Sequence, residues 1–236
     1  MDISKRLLTI ANLVEKNSIV ADIGTDHGFV PFYLLENNIA GKVYLSEISK
    51  DCLNKAVELF DGRFKGKCDF ILSDGVKEFE SKDIKVDTII IAGMGGELIS
   101  NILEQSLEYV KDIKTLILQP VQAPELLRQY LIENKFEIID EIIMRDKKFY
   151  EIIVAKYSGI ENKKREDYYV PHNVSQINSD FIEYIKYNID KRKNILQKIS
   201  FSDIGRCRVL AKTGAKIANL NREIFLFEEV LHDKNN

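Results

Sequence analysis

The sequence predicts an α/β protein with a mostly parallel sheet, an antiparallel hairpin at one sheet edge, and a helical hairpin at the C-terminal end. Three observations predict it. From Ser18 to Asn134, short β-rich runs alternate with segments of helical periodicity, which is the signature of βαβ units around a parallel sheet. Two strand-like runs then follow one another directly, with only "DKK" between them; so short a connection joins antiparallel neighbours. From Ile182 onward, apolar residues step by threes and fours with no strand pattern between them, as in two helices packed along a heptad seam.

In chain order, Ser4 is placed to cap a first helix whose apolar positions are Leu7, Leu8, Ile10, Ala11 and Val14. "SIVADIG" reads as the first strand and opens through a glycine-containing turn into the helix "VPFYLLENN". The alternation continues with strand "KVYLSEI", helix "SKDCLNKAVELF" and strand "CDFILSD". Strand "VDTIIIAG" precedes helix "ELISNILEQSL", and strand "TLILQP" precedes helix "APELLRQYLIEN". "FEIIDEIIMRD" and "KFYEIIVAKYS" form the edge hairpin. The polar run "GIENKKRED" reads as a linker and "YYVPHNV" as a short connector. The seam then runs through Ile182, Ile185, Ile189, Arg192, Leu196 and Ile199. After the interruption "FSDIG" it returns through Leu210, Thr213, Ile217, Leu220, Ile224, Phe227 and Leu231. Arg192 and Thr213 are faults in an otherwise apolar seam. The expected division is one domain over residues 1–158 and a helical hairpin over 159–236.

Composition narrows the classes of function. Apolar runs such as Thr88–Ala92 are far too short to span a bilayer, and the N-terminal segment lacks signal-peptide anatomy. The cysteines, Cys52, Cys68 and Cys207, are odd in number and widely spaced. They suggest neither a disulfide framework nor a metal site, and a reducing cytoplasm suits them. The net charge of −3 argues mildly against nucleic acid, but it is uneven. From Ile160 onward there are 14 Lys/Arg and 11 Asp/Glu, against 20 and 26 in the rest of the chain. A weakly basic tail on an acidic body is compatible with a polyanionic partner without demanding one.

The chemistry-bearing residues cluster at predicted strand exits, where doubly wound sheets bind ligands. In "VADIGTDHGFVP", Gly24 and Gly28 let backbone approach a ligand closely. Asp22 precedes the first glycine by two residues, and Asp26 stands where a pyrophosphate-binding turn would place a small neutral residue. A carboxylate there repels phosphates, so a cationic ligand with an amino-acid end suits the turn better, and S-adenosylmethionine has that form. The plain alternative is a tight strand-to-helix turn without a ligand. Glu47, about 20 residues past the turn, is placed to accept ribose hydroxyls or is one more surface acid. Asp74, followed by Gly75, is placed to accept from an adenine amine or to cap a helix. Three acids ending three successive strands carry more weight together than singly.

"DIGTDHG", "SEIS", "LSDG", "IAGMGG" and "LILQP", in this order and spacing, resemble the bacterial tRNA adenine-22 N1-methyltransferase family. The resemblance runs through the α/β part, and that family also carries a C-terminal helical hairpin. It implies a class I, Rossmann-like methyltransferase fold, S-adenosylmethionine as methyl donor, and methylation of N1 of an adenine in the tRNA D-arm. The donor residues it implies are Asp22, Gly24, Thr25, Asp26, His27, Gly28, Glu47, Ile48, Asp74, Gly75, Gly93, Met94 and Gly95. Class I enzymes favour a first motif with a central glycine, whereas this sequence and the family it resembles have an acid there, Asp26.

Gly93-Met94-Gly95-Gly96 stands where many amino-group methyltransferases place a polar-Pro-Pro-aromatic segment. Adenine N1 presents a lone pair in the neutral base, so no proton has to leave before attack, and alignment carries most of the catalysis. The product ring is cationic, which makes a carboxylate useful nearby. Asp26 is the first candidate for that role, and His27 is the second, to orient the base or touch the donor. Gln119 and Pro120 are expected at the substrate mouth, with Tyr150 and its neighbour Phe149 as stacking rings. Lys5, Arg6, Lys191, Arg192 and Lys193 are candidate phosphate contacts, although such clusters also serve as solvated helix faces. The expected partner is tRNA, with no metal or membrane, and the chain is expected to be a monomer or weak homodimer. An NAD-dependent oxidoreductase, a non-catalytic donor-binding protein and a methyltransferase of another RNA or a small molecule are the competing readings.

Overall fold

The computed structural model describes residues 3–25, 27–161, 168–202 and 210–233. Its elements, in chain order, begin with α1 (Lys5–Asn12), β1 (Ile19–Ile23), α2 (Phe29–Glu36), β2 (Lys42–Glu47) and α3 (Lys50–Phe60). Then come β3 (Cys68–Leu72), α4 (Lys77–Ser81), β4 (Thr88–Gly95), α5 (Gly96–Gln105) and α6 (Leu107–Val110). The last are β5 (Thr115–Gln122), α7 (Pro124–Glu133), β6 (Phe136–Arg145), β7 (Phe149–Tyr157), α8 (Ser179–Ser202) and α9 (Leu210–Asp233).

One seven-stranded sheet has the order β3-β2-β1-β4-β5-β7-β6. β1 to β5 are parallel, and β7 is antiparallel to both neighbours, as the sequence patterning predicts. The period-2 alternation of a strand divides its side chains between two helical layers. Val20, Ile90 and Ile117 face the layer containing α1, α2 and α3. Ala21, Ile23, Ile89, Ile91, Leu116 and Leu118 face the layer containing α4 to α7. Strand order reverses between β1 and β4, so their carboxyl ends part there and leave a crevice.

β4 and β5 run two residues further than the sequence suggests, to Gly95 and Gln122. Register shifts at Met94 and Gly95 absorb the extension. The short helix α4 is also additional: a single turn anchored by the buried Phe79 has no periodicity to read. The cap at Ser4 is as expected, accepting from the Leu7 amide.

The connector after β7 is tied into the fold. Val170 is buried, and the His172 and Asn173 amides donate to Glu141 Oε2 at 2.8 and 3.1 Å. Glu141 in turn accepts from Arg128 Nε at 2.5 Å, while Arg128 Nη2 reaches Glu151 at 2.5 Å. Tyr184 of α8 donates to the other oxygen of Glu151 at 2.7 Å. This network joins α7, β6, β7, the connector and the tail. Around it, Phe181, Ile185, Ile189, Ile224 and Phe227 close an apolar cluster with Ile143 of β6.

Arg192 corrects the expectation of a seam fault. Its Nε donates to Glu223 at 2.6 Å, its Nη1 to Asn188 Oδ1 at 2.7 Å, and its guanidinium sits 4.5 Å from the Phe227 ring centre. A paired arginine therefore clamps α8 to α9. The expected interruption 201–205 lies in part, and Asp26 and Cys207 lie wholly, outside the described residues, and no side chain is described for Thr213.

Candidate donor and substrate site

At the crevice between β1 and β4, a cavity of about 470 Å³ is lined by Asp22, Gly24, Thr25, His27, Gly28, Phe29 and Ala92, with Arg6 from α1. Its floor is made of backbone. Gly24 (φ +74°) and Gly28 (φ +73°) occupy the left-handed region that glycine enters without strain. A Cβ on Gly24 would stand 2.0 Å from Met94 Cε. Met94 is therefore the side chain that crosses from the β4 exit to the β1 turn.

The four-residue stretch after Ala92 divides into separate tasks. Gly93 (φ +86°) has open space where a Cβ would stand. Gly96 has the opposite surroundings: a Cβ there would lie 2.1 Å from the Ala123 carbonyl oxygen. It is the position where α5 meets the start of α7, so its absence of a side chain is explained by helix packing. Gly95 lies against Gln122, 3.0 Å from Cβ to Nε2.

Asp22 carries the electrostatic signature of the cavity. Burial pushes its carboxyl up to about 6, the neighbouring Thr25 hydroxyl pulls it back in part, and the Glu47 charge pushes it further up. Thr25 lies close enough for that influence, yet among the described residues its buried Oγ1 is in hydrogen-bonding geometry with no partner. A buried hydroxyl without a partner and a carboxylate without a cation among the described residues are what a polar, cationic ligand would satisfy.

The other predicted donor residues sit along the same sheet edge. Glu47 ends β2 and turns back on itself, its Oε1 accepting from the Ile48 and Ser49 amides at 2.9 and 3.1 Å. Ile48 is largely exposed. Asp74 is held by Lys77. Gly75 accepts through its carbonyl from Ser46 Oγ at 3.2 Å and Ser73 Oγ at 3.0 Å, which fixes the β3 exit beside the β2 exit.

The predicted substrate residues separate into groups. Gln119 is fully buried and does not face solvent at a mouth. It accepts from Arg6 Nη1 at 2.7 Å and donates to the Pro120 carbonyl at 2.8 Å, so it holds Arg6 at the cavity wall. Tyr150 has the Arg6 guanidinium 5.4 Å and the Lys148 ammonium 5.3 Å from its ring centre. Lys5 donates to Asp180 at 3.3 Å and to the Arg145 carbonyl at 3.0 Å, joining α1 to the hairpin and tail. Lys193 pairs with Glu228 at 2.8 Å. Lys191 and Arg192 line a different cavity, beside the β6–β7 hairpin.

Sequence reasoning misses Phe29, which reads as the first apolar residue of a buried helix. The structure leaves it 38% exposed at the cavity wall, stacked on His27 with ring centres 5.1 Å apart and planes 11° apart. No periodicity separates such a ring from its buried neighbours Val30 and Phe32. Among the described residues, no group of three or more His, Cys, Asp or Glu could hold a metal ion, and no helix is long and apolar enough to cross a membrane.

Residues 3–153 match the family profile described as "Methyltransferase domain". The chain is 33% identical over 169 residues to the tRNA (adenine(22)-N(1))-methyltransferase of Bacillus subtilis, an alignment covering 66% of each chain. An uncharacterized protein from Listeria monocytogenes is similar in structure, with a TM-score of 0.87 and 31% identity over 98% of this chain and 100% of that one. M. capricolum TrmK in complex with S-adenosyl-homocysteine has a TM-score of 0.73 and 26% identity, over 94% of this chain and 99% of that one.

Proposed function

The chain belongs to the TrmK family of bacterial tRNA methyltransferases, and we propose that it transfers a methyl group from S-adenosylmethionine to N1 of adenine 22 in tRNA. The observation that carries the donor assignment is the glycine-floored cavity at the β1–β4 crevice, with its uncompensated Asp22 carboxyl and partnerless Thr25 hydroxyl. When bound, the donor supplies an electrophilic methyl group on a sulfonium.

The chain's own residues hold and orient. Asp22, Gly24, Thr25, His27 and Gly28 form the turn that receives the amino-acid end, with Asp26 beside them in sequence. Glu47 and Ile48 take the ribose side, Asp74 and Gly75 the adenine side, and Gly93, Met94 and Gly95 close the β4 exit. The target nitrogen needs no base to free its electron pair, so positioning it in line is the main requirement. Asp26 is assigned the stabilisation of positive charge developing on the ring. His27 orients the base, and its stack on Phe29 gives it a rigid backing. N1 lies on the pairing edge, so a paired adenine must leave its helix first.

Gln119 positions Arg6 beside the cavity, and Arg6, Lys191 and Tyr150 contact RNA. Lys5, Arg192, Lys193 and Pro120 support the same surface, the first three through pairs that fix its geometry. The chain divides at residue 158 into a catalytic domain and a helical hairpin that guides tRNA. It acts in the cytoplasm as a monomer or weak dimer.

Incubation of the protein with methyl-labelled donor and a tRNA transcript, followed by mapping of the product, tests this reading. Label at N1 of adenine 22, lost when that nucleotide is changed to guanine, is the expected result. Label on an exocyclic amine, on another nucleotide, or absent altogether would overturn it.

A further inference from the structure

The β6–β7 hairpin, the start of α7 and the tail helices enclose a second cavity of about 780 Å³. That is within the usual ligand-site range of about 300–1,000 Å³. It adjoins the first cavity through Tyr150. Arg6, over that ring, lines the first cavity, and Lys148, also over it, lines the second.

The walls of the second cavity combine aromatic rings with cations that form no salt bridge among the described residues. Tyr187 is 52% exposed and packs 5.5 Å, centre to centre, from Phe149. Lys147, Lys148 and Lys191 form no salt bridge among the described residues. The arginines there are already occupied, Arg145 by Glu183 and Arg192 by Glu223. Of the acids in the wall, Glu151 is taken by Arg128 and Glu223 by Arg192, leaving Glu125 at the rim. The surface that faces solvent is thus net cationic despite the acidic chain.

We propose that this cavity holds an unpaired nucleotide of the RNA substrate adjoining the methylated one. Its base lies against Tyr187, and the flanking phosphates lie on Lys147, Lys148 and Lys191. This rests on the reading of the chain as an RNA methyltransferase. Withdrawing a paired adenine from its helix leaves its neighbours unstacked, and an aromatic ring restores stacking without regard to sequence. Cations that neutralise phosphates release counterions and make binding salt-dependent.

The test measures tRNA affinity across a salt series, S-adenosylmethionine affinity and sedimentation for the full chain. The variants are Lys147→Ala/Lys191→Ala, Tyr187→Ala and Tyr187→Phe. The lysine pair is expected to weaken tRNA binding at least about 5-fold and to flatten the log–log salt slope by about 2. Tyr187→Ala is expected to weaken it about 5- to 50-fold with the slope unchanged, Tyr187→Phe to restore it, and donor affinity to hold in all three. If the lysine and alanine variants bind tRNA as the wild type does while the wild type methylates tRNA, the subsite is wrong and the proposed function stands. If the wild type neither binds nor methylates tRNA, both fail. Tyr187→Phe behaving like Tyr187→Ala, or variants that change self-association in place of tRNA affinity, would also overturn the subsite.

Discussion

The two cavities are built in opposite ways. The first is built around the glycine turn at the β1 exit, with Asp22, Thr25, His27, Phe29 and Arg6 in its wall and the Met94 side chain against Gly24. The second is made of long side chains held by ion pairs, rooted in the buried Arg128 between Glu141 and Glu151. The first has a carboxylate that the fold leaves uncompensated, and the second has its buried charges matched within the protein. The difference suggests where a ligand contributes to stability: at the first cavity it completes the electrostatics of a buried group, whereas at the second the buried charges are already paired and a ligand meets only the lysines of the outer wall.

The largest expected effect breaks the second region. Arg128→Ala leaves Glu141 and Glu151 facing each other in the interior. Burial alone would push the Glu141 carboxyl up, but Arg128 and the connector amides hold it below the usual range. Losing the arginine is expected to lower unfolding stability by about 3–5 kcal/mol in urea titrations. A loss under about 1 kcal/mol would mean the network does not root the tail.

At the first region the expected sign is reversed. Asp22 keeps its proton up to about pH 6 in the folded chain but loses it near pH 4 when unfolded. Stability from this group therefore declines as pH rises from about 4 to 6 and then levels off. Asp22→Asn is expected to stabilise the ligand-free chain at pH 7 by about 2–3 kcal/mol, from the size of that shift, and to remove this component of the pH dependence. Unfolding midpoints at pH 5 and pH 8 check both points; a destabilised variant would end the contrast.

A third comparison lies within the glycine-rich stretch. Gly96→Ala is expected to cost about 1–3 kcal/mol, because its Cβ meets the Ala123 carbonyl and not a side-chain end that can move. Gly24→Ala meets only the movable Met94 methyl, but its φ of +74° strains alanine, so it is expected to cost about 1–2 kcal/mol and to harm donor affinity as well. Calorimetric donor titrations beside urea curves separate the two. The smallest effect belongs to Lys193→Ala, whose exposed pair with Glu228 is expected to contribute less than about 0.5 kcal/mol. A change above 1 kcal/mol in its urea curve would sharpen the tail's role.

Much of the first region was legible in the sequence. Apolar alternation marked β1 to β7, and the glycines and acids of "DIGTDHG", "SEIS" and "LSDG" marked the strand exits that the sheet brings to one edge. These signals are local, because turns and strand ends require particular residues at particular positions. In the second region only single residues, Phe149, Lys191 and Arg192, were legible, and the network was not, because its pairs join residues far apart in sequence: Arg128 to Glu151, Tyr184 to Glu151, Arg192 to Glu223. A heptad reading sees Arg192 as a fault when the partner that makes it a clamp lies on the other helix. Phe29 stayed hidden because exposure, unlike periodicity, is decided by the cavity beside it, and "YYVPHNV" because its anchors are backbone amides bonded to a distant glutamate.

The most direct measurement is calorimetric binding of S-adenosylmethionine from pH 5 to pH 8, by the wild type and by Asp22→Asn. A cation-accepting Asp22 should lose affinity as it gains a proton, so wild-type affinity is expected to be level from about pH 6 to about pH 7.5, where the donor's amino group begins to lose its own proton, and to fall toward tenfold per unit below about pH 6. The variant is expected to bind more weakly at pH 8 and without that slope. Equal affinity and the same pH profile in both proteins would contradict the idea that this carboxylate is left uncompensated for the donor.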